Sequence, residues 1–104
     1  MAFITTAGIL RLAECFKNVF DYCSCLLVFD DNTTLEASSF NVYRESTTIN
    51  IQASFTLTSE HWGKTVSQIV LSYTGDILLY EVINDIVPPG KEQITYSATL
   101  SFSL

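Results

Sequence analysis

The amino-acid sequence predicts a mainly β (α+β) fold, either an antiparallel β-sandwich or a curled sheet, with one N-terminal helix. Residues 48–58 and 93–104 alternate apolar with polar side chains, which is typical of half-buried strands. Residues 66–82 form two apolar arms around Gly75, which is typical of a β-hairpin. Residues 7–20 instead repeat apolar side chains at helical spacing, so the predicted helix precedes all the strands.

The helix is predicted to begin where a threonine hydroxyl of the Thr5-Thr6-Ala7-Gly8 segment caps the first free N–H groups, and to end at Asp21. Its polar residues lie away from one apolar stripe, which we expect to face the core. The stripe comprises Ile9, Leu12, Ala13, Phe16, Val19 and Phe20.

About six strands with short connections are predicted after the helix. Some of them alternate, and the others are apolar runs bounded by turn residues. The predicted strands comprise residues 22–29, 40–45, 48–58, the two arms of 66–82, and 93–104. The predicted turns and loops comprise residues 30–32, 33–39, 59–64 and 84–92.

The hairpin is the segment around which we expect the sheets to assemble. Its turn is predicted at Thr74-Gly75-Asp76, where Gly75 supplies the positive φ that a tight turn needs. Residues 77–80 of the second arm are apolar on both faces. Such a strand belongs inside a sheet that is packed on both sides, so we predict that this arm is buried.

The composition predicts a surface that is partly covered by other molecules. The 104 residues suit one small domain, residues 1–104; 48% are hydrophobic and 15% charged, against about 25% charged in typical domains. Because a small domain has much surface to keep wet, this apolar excess predicts contacts with neighbouring subunits. The net charge of -6 and the five scattered Lys and Arg residues argue against nucleic acid as a partner.

A membrane partner and a secretory leader are also disfavoured. No apolar run approaches the roughly 20 residues that a transmembrane helix needs. Residues 1–14 lack a basic leader, and Arg11 and Glu14 interrupt them where a signal peptide has its apolar core. We therefore expect no membrane contact.

The three cysteines, Cys15, Cys23 and Cys25, form an odd set and are expected to be reduced. Cys23 and Cys25 could ligate a metal, but the chain has no second cysteine pair and its single histidine, His61, is distant in sequence. On a strand the two thiols would share one face and act as small hydrophobic groups. We expect no metal and no other cofactor.

The polar loop at residues 59–64 is the candidate for catalysis. Its Ser59-Glu60-His61 segment contains the groups of a triad, but residues adjacent in sequence rarely converge, and no nucleophile elbow is present. We therefore predict that the chain is not an enzyme. The Asp30-Asp31 pair lacks the spacing of a calcium loop and is expected to form a solvated turn.

Three segments together match the pattern of one protein family. They are Ile4-Thr5-Thr6-Ala7-Gly8 before a short helix, Phe55-Thr56-Leu57-Thr58 leading through a loop with Gly63 to residues 65–71, and the hairpin at 73–80 followed by a closing strand at 94–100. In this order they resemble the small β-rich virion proteins of tailed bacteriophages, especially the attachment modules of tail-fibre and baseplate proteins. Gln68 and Val70 replace the acidic residue and the glycine that are usual there, and residues 30–46 match no part of the pattern.

The resemblance implies a structural component of the virion: a tail, baseplate or tail-fibre-attachment adaptor that is not an enzyme and is assembled in the host cytoplasm. The implied partners are copies of itself, in a homo-oligomer, and other virion structural proteins. The alternatives are a capsid decoration protein and, from another class, a carbohydrate-binding module that uses Trp62, Tyr43 and Tyr73 as stacking platforms.

The expected subunit contacts lie at both ends of the chain and in the loop of Trp62. Residues 93–104 have one apolar and one neutral, hydroxyl-rich face, with no charge after Glu92. Such an edge invites pairing with another chain. Trp62 is predicted either to contact a partner or to fold back as a lid over its own core. The residues expected to supply contacts are Phe3, Ile4, Trp62, Thr99, Phe102 and Leu104.

Overall fold

The computed structural model describes residues 1–102, which form one helix and seven strands in two antiparallel sheets. The predicted fold class is thereby confirmed. The elements are α1 (Thr6–Phe20), β1 (Ser24–Phe29), β2 (Thr34–Glu36), β3 (Ser39–Glu45), β4 (Thr48–Thr56), β5 (Thr65–Tyr73), β6 (Asp76–Ile86) and β7 (Gln93–Ser101). A short 3-10 turn, Ser59–His61, lies between β4 and β5.

The two sheets pack around a common core. The four-stranded sheet has the order β2-β1-β5-β6, and the three-stranded sheet has the order β3-β4-β7. The chain passes from one sheet to the other between β6 and β7, which are both edge strands. Tyr96 of β7 donates a hydrogen bond to Asp85 of β6 (Oη to Oδ2, 3.4 Å), so these two edges lie on the same side of the molecule. We call it the open side.

The core consists of alternate residues of the strands. Along β4 every second residue from Ile49 to Phe55 is buried, which is the alternation that the sequence predicts. Because burial of one large apolar side chain contributes about 1.5–3 kcal/mol, this layer is the main source of stability. Its most deeply buried members include Phe20, Leu27, Phe29, Ile49, Ile51, Phe55, Val66 and Leu71.

Helix α1 begins as predicted: the Thr5 hydroxyl accepts a hydrogen bond from the backbone N–H of Gly8 at 3.0 Å. The helix packs on β3 and β4 of the three-stranded sheet. The predicted stripe is wrong in part, because this contact is narrower than the stripe. The buried residues are Ile9, Ala13 and Phe20, whereas Leu12, Phe16 and Val19 are partly exposed.

The β5–β6 hairpin turns over two residues, Thr74 and Gly75, whose φ angles are both positive (49° and 89°). Positive φ at both central residues is the pattern of a type I′ turn, whose twist matches that of the flanking strands. The prediction for Gly75 is confirmed, whereas Asp76 is already the first residue of β6. Thr74 is a β-branched residue in a conformation that suits Gly or Asn, so the turn is strained there.

Two segments predicted as connections contain strand residues. Residues 33–39 include β2, which pairs with β1 over three residues and is too short to show an alternating pattern. Likewise, β6 continues to Ile86, into the predicted connector at residues 84–92. The strand does so past Asn84, which has a φ of 63° and lies at a shift in the pairing register.

Candidate functional site

The last strand, β7, is one edge of the three-stranded sheet. It pairs with β4 over nine consecutive residues without a register shift. In the part of the chain that the structure describes, no strand pairs with its other edge. The predicted alternation is confirmed for residues 93–101: the outward side chains are exposed and the inward ones face the core. β7 therefore presents a regular edge, nine residues long.

The outward face of β7 is neutral and rich in hydroxyl groups. Thr95 Oγ1 lies 3.0 Å from Ser54 Oγ, and Thr99 Oγ1 donates a hydrogen bond to Asn50 Oδ1 at 3.3 Å. Thr99, one of the predicted contact residues, is exposed. Hydroxyl groups can form further hydrogen bonds to a neighbouring strand, and this face carries no charge that would repel one.

The prediction that residues 77–80 lie inside a packed sheet is wrong. They belong to β6, which is an edge strand and pairs only with β5 among the described strands. Ile77, Tyr80 and Val82 are 59%, 64% and 60% exposed, whereas Leu79 packs against the core. The apolar run therefore forms one half-buried face and one exposed face.

The β6 edge is irregular. Its pairing with β5 shifts register twice, beside Leu78 and beside Asn84. Between these bulges Glu81 lies opposite Ile69, a core residue, and is nevertheless exposed. Bulges and a charge on the inward face of an edge strand both oppose pairing with another chain. The β6 edge therefore carries two protections that β7 lacks.

The apolar surface of β6 continues across the outer face of the four-stranded sheet. Tyr80 lies opposite Val70, which lies opposite Leu26, so the three side chains form one row. Val70 is buried although it is not part of the core cluster between the sheets. The outer face of this sheet thus carries an apolar row, whereas that of the three-stranded sheet is mostly polar.

The contact residues predicted at the two ends of the chain differ in their exposure to solvent. Phe3 and Ile4 are exposed, and they precede the helix. Phe102 is half-buried, because its ring packs on that of Phe16 with 5.3 Å between the centroids. Leu104 lies outside the described residues. Phe3 and Ile4 are therefore available to a partner, whereas Phe102 already contacts the helix.

Trp62 is anchored by a hydrogen bond at its indole ring. Its indole N–H donates a hydrogen bond to the carbonyl oxygen of Lys91 at 3.0 Å, which ties the loop before β5 to the connector before β7. The residue nevertheless remains 39% exposed. Trp62 therefore links two loops and still presents part of its ring to solvent, and its contact with a partner stays a prediction.

His61 has a structural role. Its Nδ1 accepts a hydrogen bond from the backbone N–H of Thr58 at 3.0 Å, so in the neutral ring the proton is on Nε2. The ring stacks on Phe29, with 5.4 Å between the centroids. In this tautomer neither ring nitrogen is free to accept a proton from a nucleophile such as Ser59.

Asp31 is held by its neighbours in the turn after β1. Its Oδ1 accepts hydrogen bonds from the backbone N–H and the hydroxyl of Thr33, and its Oδ2 lies 3.0 Å from Lys64 Nζ. The hydrogen bonds from Thr33 and then Lys64 lower the pKa of the Asp31 carboxyl to about 2. This carboxylate joins the β1–β2 turn to the start of β5.

Cys23 and Cys25 are buried and Cys15 is exposed, and none of the three forms a disulfide. Burial raises the pKa of the Cys25 thiol to about 12, with a further contribution from Cys23, whose own pKa burial also raises. Both buried thiols therefore stay protonated and pack as small hydrophobic groups. Within residues 1–102, no three His, Cys, Asp or Glu side chains cluster as metal ligands do.

The three aromatic residues of the carbohydrate-binding alternative do not share a groove. Trp62 precedes β5 and Tyr73 ends it, so the length of a nine-residue strand, about 30 Å, separates them. Tyr43 lies on β3, in the other sheet. Tyr73 instead lines a groove of about 270 Å³ beside Asn18 and Tyr22, at the end of the helix.

Comparison of the chain with protein-family models, with curated proteins and with solved structures finds no match in any of the three. The helix within residues 1–102 is not long and apolar enough to cross a membrane. The two unlike edges and the exposed apolar residues are the features that a function has to explain.

Proposed function

We propose that the protein is a structural component of a tailed-phage virion: a tail, baseplate or tail-fibre-attachment adaptor that acts by assembly with other proteins and is not an enzyme. The observation that carries this proposal is the edge of β7, which is regular, uncharged and nine residues long. Proteins that act alone usually interrupt such an edge with a charge, a proline or a bulge. A subunit instead needs an edge that its neighbour completes.

Exposed apolar residues on several sides of the molecule support the proposal. Phe3 and Ile4 are exposed before the helix, Tyr22 after it, and Ile77 and Tyr80 along β6. The molecule is elongated, 54 × 23 × 22 Å, so these sites are spread over a long surface. Contact on several sides is what a subunit packed among neighbours requires.

The proposed partners are copies of the chain itself, in a homo-oligomer, and other virion structural proteins. A net charge of -6 disfavours the packaged nucleic acid as the binding partner. Three unpaired cysteines fit assembly in the host cytoplasm, where thiols stay reduced.

The test is incorporation of tagged variants into particles. Thr99→Lys places a charge on the outward face of β7, and Asn41→Lys places the same charge on the outward face of β3, at the opposite edge of the same sheet. We expect particles to contain the wild type and the Asn41 variant and to exclude the Thr99 variant, with similar melting temperatures for all three. Equal incorporation of both variants, or particles without the chain, would contradict the proposal.

A low-resolution image of particles that carry a label on the chain locates it. Label on the tail, baseplate or fibres supports the adaptor proposal. Label spread over the head would replace it with the capsid decoration alternative.

A further inference from the structure

We propose that β7 pairs with β7 of a second copy of this chain, antiparallel, with Ser97 on a two-fold axis. The two three-stranded sheets then become one six-stranded sheet with the order β3-β4-β7-β7-β4-β3. This pairing rests on the proposed function for its use in a particle and deepens it, because it names the partner and the register at the β7 edge.

The length of β7 determines the register. A two-fold axis perpendicular to the sheet pairs two identical strands antiparallel and keeps each face on its own side. Ser97 is the middle residue of Gln93–Ser101, so only an axis at Ser97 pairs all nine residues. Every other register leaves residues of this regular edge without a partner.

In this register each polar side chain meets a polar one and each apolar side chain meets an apolar one. On the outward face Thr95 lies opposite Thr99, and such hydroxyl pairs favour strand pairing. On the inward face large Tyr96 lies opposite small Ala98, so the two can interlock. The complete set of pairs is Gln93 with Ser101, Ile94 with Leu100, Thr95 with Thr99, Tyr96 with Ala98, and Ser97 with itself.

The hydroxyl row of the sheet continues across the axis. Within one copy Thr95 already contacts Ser54 at 3.0 Å, and Thr99 contacts Asn50 at 3.3 Å. Pairing of Thr95 with Thr99 of the second copy therefore joins two existing polar rows into one. With no charged side chain on either strand, the seam contains no like-charge pair.

The area of the open side suits a dimer. β7 is about 30 Å long at about 3.3 Å per residue, and the molecule is 22 Å across in its shortest dimension. Contact over this side covers about 600 Å² on each copy, or about 1,200 Å² in total, which is at the lower end of specific interfaces.

Self-association of the isolated chain tests the partner. We expect a concentration-dependent dimer in sedimentation equilibrium. Ser97→Lys brings two ammonium groups together on the axis and should weaken the dimer at least about tenfold. Asn41→Lys places the same charge in the same row at the far edge of the sheet and should leave the dimer unchanged. Far-UV circular dichroism checks that both variants fold.

Disulfide trapping tests the register with single cysteine substitutions, which add no charge to the strand. In a Cys15→Ser background, Ser97→Cys should form a disulfide-linked dimer on oxidation with copper-phenanthroline, because the two sulfur atoms face each other on the axis. Two copies of residue 95 lie about 14 Å apart in this register, beyond the Cα separation of about 4.4–6.8 Å that a disulfide needs. Thr95→Cys should therefore form no disulfide-linked dimer under the same conditions.

The outcomes separate this inference from the proposed function. Trapping of Thr95→Cys as readily as Ser97→Cys would overturn the register. A wild-type chain that stays monomeric up to its solubility limit would overturn the second copy as the partner. If Thr99→Lys is then still excluded from particles, the proposed function stands and another protein completes the β7 edge.

Discussion

The two edges on the open side of the molecule, β6 and β7, differ in how well their backbones could pair with a further strand. β7 pairs with β4 without interruption and has no charged residue. β6 is bulged twice and holds Glu81 on its inward face between the bulges. The exposed side chains differ in the opposite sense: those of β6 are large and apolar, whereas those of β7 carry hydroxyl groups.

If β7 is the edge that assembles, as we propose, hydrophobicity alone does not identify that edge. Apolar side chains on β6 offer contact area, but its irregular backbone and its charge oppose a new strand. The polar residues of β7 contribute less area, but its backbone offers a regular row of hydrogen-bonding groups. We therefore assign strand pairing to β7 and side-chain contact to β6.

The largest effect is expected at the turn that sets β6 in place. Gly75→Val puts a β-branched side chain at a φ of 89° and should lower the free energy of unfolding by about 1–3 kcal/mol. Gly75→Asn is the matched control, since Asn tolerates positive φ, and should cost less. Chemical denaturation measures both. Equal stability of the Val variant and the wild type would mean that the turn is not type I′.

The protection of β6 can be removed at one residue. Glu81→Val deletes the inward charge, and we expect it to promote self-association through β6, seen by light scattering at increasing concentration. Glu45→Val, at the end of β3, changes the net charge equally and serves as the control. If both variants scatter alike, net charge rather than the position of Glu81 keeps β6 unpaired.

A smaller gain in stability is expected at Thr74. Thr74→Asn gives the Asn-Gly sequence that type I′ turns favour, and relief of the strained Thr should stabilise the protein by about 0.5–1 kcal/mol. Thr56→Asn, at the end of β4, is a control without positive φ. A lower denaturation midpoint for Thr74→Asn than for the wild type would argue against strain at this residue.

The smallest effect concerns the hydrogen bond between β6 and β7. Burial, and then the charge and hydrogen bond of Asp85, raise the pKa of Tyr96 to about 12 from about 10. The contribution of protonated Tyr96 to the free energy of unfolding is therefore complete below pH 10 and is lost as the pH rises towards 12. Asp85→Asn should lower the pKa of Tyr96, and ultraviolet absorbance against pH measures it, with Tyr96→Phe identifying the transition. An unchanged midpoint would place Asp85 away from the hydroxyl.

Most of the fold could be predicted from the sequence, because alternation and helical spacing record which faces are buried. The pattern at residues 48–58 predicts β4, and that at residues 93–104 predicts β7. The position of a strand within its sheet is not recorded in this way. The run at residues 77–80 has the composition of an interior strand, yet no further strand follows beyond β6 among those described.

The candidate site was predictable where it depends on one strand and not where it depends on contacts between distant residues. The neutral face around Thr99 follows from the sequence of β7. The bond from Trp62 to the carbonyl oxygen of Lys91 does not, because it joins residues 29 positions apart. The bulges of β6 could not be predicted either, since they arise from its pairing with β5.

Amide hydrogen exchange, followed by mass spectrometry at low and at high protein concentration, tests the assignment of the two edges most directly. We expect exchange across residues 93–101 to slow as the chain associates, because new backbone hydrogen bonds form at the β7 edge. Exchange across residues 76–86 should change little. Slower exchange in β6, with β7 unchanged, would contradict the account.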